Sequence, residues 1–140
     1  IRFLYAPTHL NPTYEYGVTF ERGTAVSYGD RKHIFLSGTA SIDNRGEIVH
    51  PGDILKQTER MMENIRALLQ EGGASIDDIM QAIVYLRDPA DYVEVDRYIR
   101  KNYPHLPHLI VLAPVCRPGW LIETECIAII PADLPQYPCL

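Results

Sequence analysis

The chain has 140 residues, 46% of them hydrophobic, with a formal charge of −5 and a pI near 5.5. That length and apolar content suit one domain, residues 1–140, with one continuous core. The acidic balance argues against a nucleic-acid partner, whose phosphates are held by lysine and arginine. No apolar run approaches the roughly 20 residues that a bilayer-spanning helix requires. The opening Ile1-Arg2-Phe3-Leu4-Tyr5 lacks the apolar stretch and cleavage site of a signal peptide, so a soluble protein is expected. Because the first residue is Ile1 and not methionine, some N-terminal residues are expected to be missing and the chain could be cut from a longer protein.

Cys116, Cys126 and Cys139 form neither a CxxC pair nor an even-numbered disulfide framework, which points to the reducing cytoplasm. The five histidines do not stand at ligand spacing with them, so neither a structural metal nor a cofactor is expected.

In chain order, short strands are expected at Val18-Thr19-Phe20, at Ala25 to Tyr28 and, after the turn Gly29-Asp30-Arg31, at His33 to Gly38. Asn44-Arg45-Gly46 reads as a turn. From Asp53 to about Gln70, Leu55, Met62, Ile65 and Leu69 recur at helical spacing, and Gly72-Gly73 stops the helix. Met61-Met62 belong to its core face; Arg60, Glu63 and Arg66 read as its solvated face.

Ser75 and Asp78 resemble a capping pair, and Ile79 to Arg87 reads as a buried strand. Asp88-Pro89 supplies an N-cap and an N1 proline for a second helix to about Lys101, with apolar contacts from Tyr92, Val93, Val95, Tyr98 and Ile99. Strands follow near Leu109 to Ala113 and Trp120 to Ile130, and the proline-rich Pro131–Pro138 reads as an extended surface arm. This order predicts an α+β fold, a mixed sheet with two helices on one face. A chain this short has no third helix for the other face, so burial against further copies in a closed symmetric oligomer is expected.

Several segments together are similar to the Rid (YjgF-type) superfamily, formerly "endoribonuclease L-PSP". They are Ile34-Phe35-Leu36-Ser37-Gly38, Gln57-Thr58 with Asn64-Ile65, Gly72-Gly73-Ala74-Ser75, Val84-Tyr85-Leu86 and Glu123-Thr124-Glu125-Cys126-Ile127-Ala128. Their order and spacing match the family over roughly residues 18–131. The resemblance implies a chorismate-mutase-like fold, a barrel-cored homotrimer and intersubunit clefts that take small carboxylate metabolites. It also implies hydrolysis of imines or enamines to keto acids and ammonia, with an arginine clamping the substrate carboxylate and a glutamate handling the attacking water.

The glutamate falls on Glu123, with Glu125 beside it on the same strand face. The family's Pro-Ala-Arg-Ser segment falls on Leu106-Pro107-His108-Leu109, so His108 replaces the arginine. A neutral imidazole cannot make a two-pronged guanidinium clamp.

Phe20-Glu21-Arg22-Gly23-Thr24, Ser37 to Ile42 and Val115-Cys116-Arg117-Pro118 resemble the catalytic half of chorismatases, which hydrolyse an enolpyruvyl ether. That likeness implies an arginine-lined cleft in which Arg117, with Arg22, replaces the missing anchor. The candidate site is therefore Glu123 as the catalytic group, with His108, Arg117, Arg22, Thr24, Cys116 and Trp120 as substrate-binding residues. Two other readings stand beside the hydrolase: a non-catalytic metabolite-binding trimer, and a ribonuclease, the reading that the acidic balance disfavours.

Overall fold

The computed structural model describes residues 1–140, the side chain of Tyr16 excepted. Six strands form one sheet in the order β1-β2-β3-β6-β4-β5. They are β1 (Arg2–Leu4), β2 (Gly23–Ser27), β3 (Arg31–Ala40), β4 (Ile79–Leu86), β5 (His108–Leu112) and β6 (Ile122–Pro131), with helices α1 (Ile54–Gly72) and α2 (Tyr92–Asn102). Neighbouring strands are antiparallel except β4 and β5, which are parallel because α2 carries the chain back between them. The architecture is the expected mixed sheet with two helices.

The pleat divides the sheet into two unlike faces. Ile34 and Leu36 of β3, Ala82, Val84 and Leu86 of β4, and Cys126 and Ala128 of β6 are buried with Met61, Ile65, Leu68 and Leu69 of α1 and Val95 and Ile99 of α2. The alternate residues, including Phe35, Ile83, Tyr85, Glu125 and Ile127, form a face that none of the described helices covers.

Helix α1 starts where Asp53 caps it, its carboxylate accepting from the Lys56 N–H at 3.0 Å, and stops at Gly73 with φ of 85°. Its buried polar residues hold loops. Gln57, fully buried, donates to the carbonyls of His50 and Gly119 at 3.1 Å each and accepts from the Leu121 N–H at 3.0 Å. Asn64 donates to the carbonyls of Ala40 and Ile42 at 3.0 Å each.

Several expectations are corrected. Val18-Thr19-Phe20 is not a strand: no neighbour pairs with it, and β2 begins at Gly23. A first strand lies instead at Arg2–Leu4, too short to show a period, with Leu4 buried. Trp120 and Leu121 precede β6. Asp88 caps a 3-10 turn, Pro89–Asp91, ahead of α2, and Tyr92 and Val93 are exposed, so Val95 and Ile99 make the buried contacts.

Asp78 accepts from both the N–H and the hydroxyl of Ser75, at 2.7 and 2.9 Å. Arg60 is not simply solvated, because its guanidinium donates to the carbonyls of Ile42 and His9. The C-terminal segment stays on the surface but is tied to the β2–β3 turn: Ala132 and Leu134 donate to Asp30 and Gly29, and Gly29 donates to Pro138.

Replacing Gln57 with leucine leaves the Leu121 N–H and two carbonyls without partners in a dry site. A loss of about 2–4 kcal/mol is expected, read as an earlier urea midpoint with an unchanged slope.

Candidate functional site

β3 carries one more residue than its neighbour where it passes the middle of β6. Leu36 is opposite Cys126, but Thr39 is opposite Thr124, so three steps on β3 match two on β6. This bulge at Ser37-Gly38 breaks the regular ladder, as bulges beside functional sites commonly do. Its consequence is direct: the Glu123 carboxylate lies over Gly38, where any added Cβ would overlap Glu123 Oε1.

The space above the bulge is a cleft of about 340 Å³. It is lined by Ser37, Gly38 and Glu123, by Cys116, Arg117 and Trp120 from the loop before β6, and by Val18, Phe20 and Arg22 from the segment before β2. Two arginine–aromatic contacts shape the walls. The Arg22 guanidinium lies 5.3 Å from the Phe20 ring centroid, and that of Arg117 lies 5.6 Å from Trp120. Arg22 is buried and also donates to the backbone carbonyl of Asn11 at 3.1 Å and to its side-chain oxygen at 2.9 Å. Arg117 is exposed.

Burial raises the Glu123 carboxyl above its ordinary range; the Cys116 N–H donated to it opposes that rise and the Glu125 charge reinforces it. Burial raises the Tyr85 phenol of the adjacent strand above its ordinary value, and the nearby Glu125 carboxylate reinforces that rise. Cys126, directly behind on the core side, has its thiol pushed up to about 12 by burial and stays a neutral core group.

Arg87, just after β4, latches the loop: its guanidinium donates to the carbonyls of Trp120 and Val115 at 2.7 Å and of Arg117 at 2.6 Å. The side chains of Cys116 and Arg117 therefore project from a braced backbone.

Five of the seven residues singled out in the sequence converge here: Glu123, Arg117, Arg22, Cys116 and Trp120. Two do not line this chain's cleft. Thr24 sits in the β2 ladder opposite Phe35. His108 is paired with Ala82, a core-side position, so it faces the helices while Glu123 shares the open face with Tyr85. The His108 imidazole is held by the Leu106 carbonyl at 3.0 Å and lies 3.4 Å from Asp96 of α2.

Ser37, Gly38, Val18, Phe20 and Arg87 were not picked out as site residues. A Ser-Gly pair inside a strand is the signal for the bulge; nothing in a single sequence marks Arg87 as a latch. Among the described residues no group of three His, Cys, Asp or Glu side chains could hold a metal ion, and no helix is long and apolar enough to cross a membrane.

Comparison with known proteins gives a consistent picture. The family model described as "Endoribonuclease L-PSP" matches residues 24–130. A RutC family protein of Pyrococcus abyssi is 40% identical over 98 residues, covering 68% of this chain and 76% of the relative. The 3-aminoacrylate deaminase RutC of Acinetobacter baylyi is 29% identical over 97 residues, covering 68% and 77%. Among solved structures, RidA of the Antarctic bacterium Psychrobacter sp. PAMC 21119 superposes with a TM-score of 0.78 at 20% identity, covering 93% of this chain and 100% of that one.

The raised Glu123 carboxyl holds its proton more tightly in the folded than in the unfolded chain. Folding is therefore weakened as pH rises from the unfolded value through the raised folded value, and the penalty is complete above it. Glu123→Gln should raise Tm at about pH 7 and lose that advantage near about pH 4, in thermal melts across pH. An offset independent of pH would instead indicate a packing effect.

Proposed function

Because the chain belongs to the endoribonuclease L-PSP family of the Rid/YjgF superfamily, we propose that it binds small carboxylate metabolites and hydrolyses an imine or enamine to a carbonyl acid and ammonia. The observation that carries this reading is the half-buried Glu123, with its raised carboxyl, in one cleft with Arg117 and Arg22.

In the proposed reaction an enamine first takes a proton from solvent on carbon and becomes the iminium ion, the protonated imine. Glu123 then accepts a proton from water as the water oxygen bonds to the iminium carbon, giving a neutral carbinolamine. Return of that proton to nitrogen lets ammonia leave, and the remaining hydroxyl proton passes back to the carboxylate as the C=O forms. A carboxyl whose proton affinity is shifted toward neutrality suits a group that both takes and returns a proton. Arg117 would hold the substrate carboxylate, since a guanidinium on an exposed loop can pair with it through two hydrogen bonds. Holding a short-lived substrate against a positioned water accounts for much of the acceleration. The name of the Acinetobacter relative makes a three-carbon aminoacrylate a suitable first substrate.

The proposal includes a homotrimer of single-domain chains with the uncovered sheet face turned inward. Phe35 is 39% and Leu109 61% exposed, and with Ile83, Ile127 and Val111 they make an apolar surface of the kind that subunits cover. Neighbouring copies would complete the clefts. Three free cysteines fit a reducing, cytoplasmic setting.

A second reading rests on His108. The residue at the family's anchor position is engaged with α2, which favours a trimer that binds carboxylates without turning them over. An enol-ether hydrolase, for which Arg22 and Arg117 of the same cleft would be the binding groups, is tested by the same assay with chorismate as substrate.

Purified protein should release the carbonyl acid from enzymatically generated 2- or 3-aminoacrylate faster than the spontaneous rate, and Glu123→Ala should lower that rate by about 100-fold or more. Gly38→Ala displaces a flexible carboxylate rather than backbone, so it should cost roughly 10- to 100-fold in rate while sparing the fold. Saturable binding of keto acids with no turnover above background would establish the non-catalytic reading. Light scattering after size exclusion should give three times the chain mass; a monomer would remove the trimer.

A further inference from the structure

The cleft does not end at Phe20. Val18 and Phe20 are shared with a second depression of about 610 Å³, walled by Tyr5, Tyr14, Pro12 and Thr13. Tyr5 and Tyr14 are 52% and 76% exposed, and Phe20 is 36% exposed. Exposed aromatic rings that line one depression beside a polar site make a binding surface, because each offers apolar area and a ring face or edge for stacking.

Size points the same way. A three-carbon aminoacrylate has six non-hydrogen atoms; at roughly 30 Å³ for each water-sized atom it fills about half of the cleft and none of the groove. The groove wall carries one charged residue, Glu21, whose carboxylate lies close to Tyr5. An acidic wall repels a second carboxylate and tolerates a neutral ring.

We infer that the groove formed by Tyr5, Tyr14 and Phe20 is a subsite for an uncharged planar ring, so that the preferred ligands are 2-imino and 2-keto acids with an aromatic side chain. This inference rests on the carboxylate-binding reading of the Glu123 cleft and adds a specificity to it. The carboxylate and reacting carbon lie beside Arg117 and Glu123, and the side chain passes Phe20 into the groove. Tyr14 belongs to a short 3-10 turn, Thr13–Tyr16, whose following residue, Gly17, has φ of 67°. That left-handed glycine turns the chain back so that Val18 and Phe20 return to the cleft.

The test compares a ligand pair that differs only in the ring. Isothermal titration of the intact protein with phenylpyruvate and with pyruvate should show phenylpyruvate binding about tenfold more tightly, and Tyr14→Ala should bring that ratio close to one. The imino acids of phenylalanine and alanine, generated by an amino-acid oxidase, should show the same ratio in kcat/KM if turnover occurs. A ring preference lost in Tyr14→Ala supports the subsite with or without catalysis. Equal affinities overturn the subsite even where Glu123-dependent turnover is found, and failure of both keto acids to bind at millimolar concentration overturns both the subsite and the carboxylate-binding reading.

Discussion

The site depends on one irregularity, the extra residue that β3 carries opposite the middle of β6. In an unbroken antiparallel ladder, a carboxylate at Glu123 would stand in a row of side chains at ordinary spacing. The bulge places a residue without a side chain beneath it, and the carboxylate settles over Gly38. Burial at that spot, resisted by one N–H from Cys116 and assisted by the Glu125 charge, gives the carboxyl its raised proton affinity. Backbone geometry thus sets the surroundings of the Glu123 carboxyl.

The two faces of the sheet divide the labour. The helix side is a buried core in which Gln57 holds the loop before β6 and Asn64 holds the end of β3. The open side gathers Glu123, Glu125 and Tyr85 together with Phe35 and Ile127. A chain that exposes both acids and large apolar groups on one sheet face has a surface suited to association and to chemistry at once. That is the physical ground for the proposal that the reaction lies at boundaries between copies.

Much of the fold was legible because its elements obey simple periods. Asp53, the recurrence from Leu55 to Leu69, and Gly72-Gly73 delimit α1 to within two residues. Ile79 to Leu86 shows the burial expected of a strand packed on helices. The failures have equally simple causes. Val18-Thr19-Phe20 has strand-forming residues but no partner, and propensity cannot supply one. Arg2–Leu4 is a strand only because β2 is there to pair with it.

The site was half legible. Glu123, Arg117 and Arg22 followed from resemblance, whereas the position of His108 could not, because which face of β5 it occupies depends on a register with β4 that the sequence does not display.

Arg87 has a wider implication for how such a scaffold diversifies. By gripping the carbonyls of Val115, Arg117 and Trp120 from the end of a neighbouring strand, it fixes the backbone on either side of residues that line the cleft. The side chains at positions 116 and 117 can then be exchanged with little mechanical consequence for the sheet. A loop clamped in this way acts as a replaceable cartridge: it lets one architecture explore new chemistry by altering a few exposed positions, while the strand that carries the acid stays where it is.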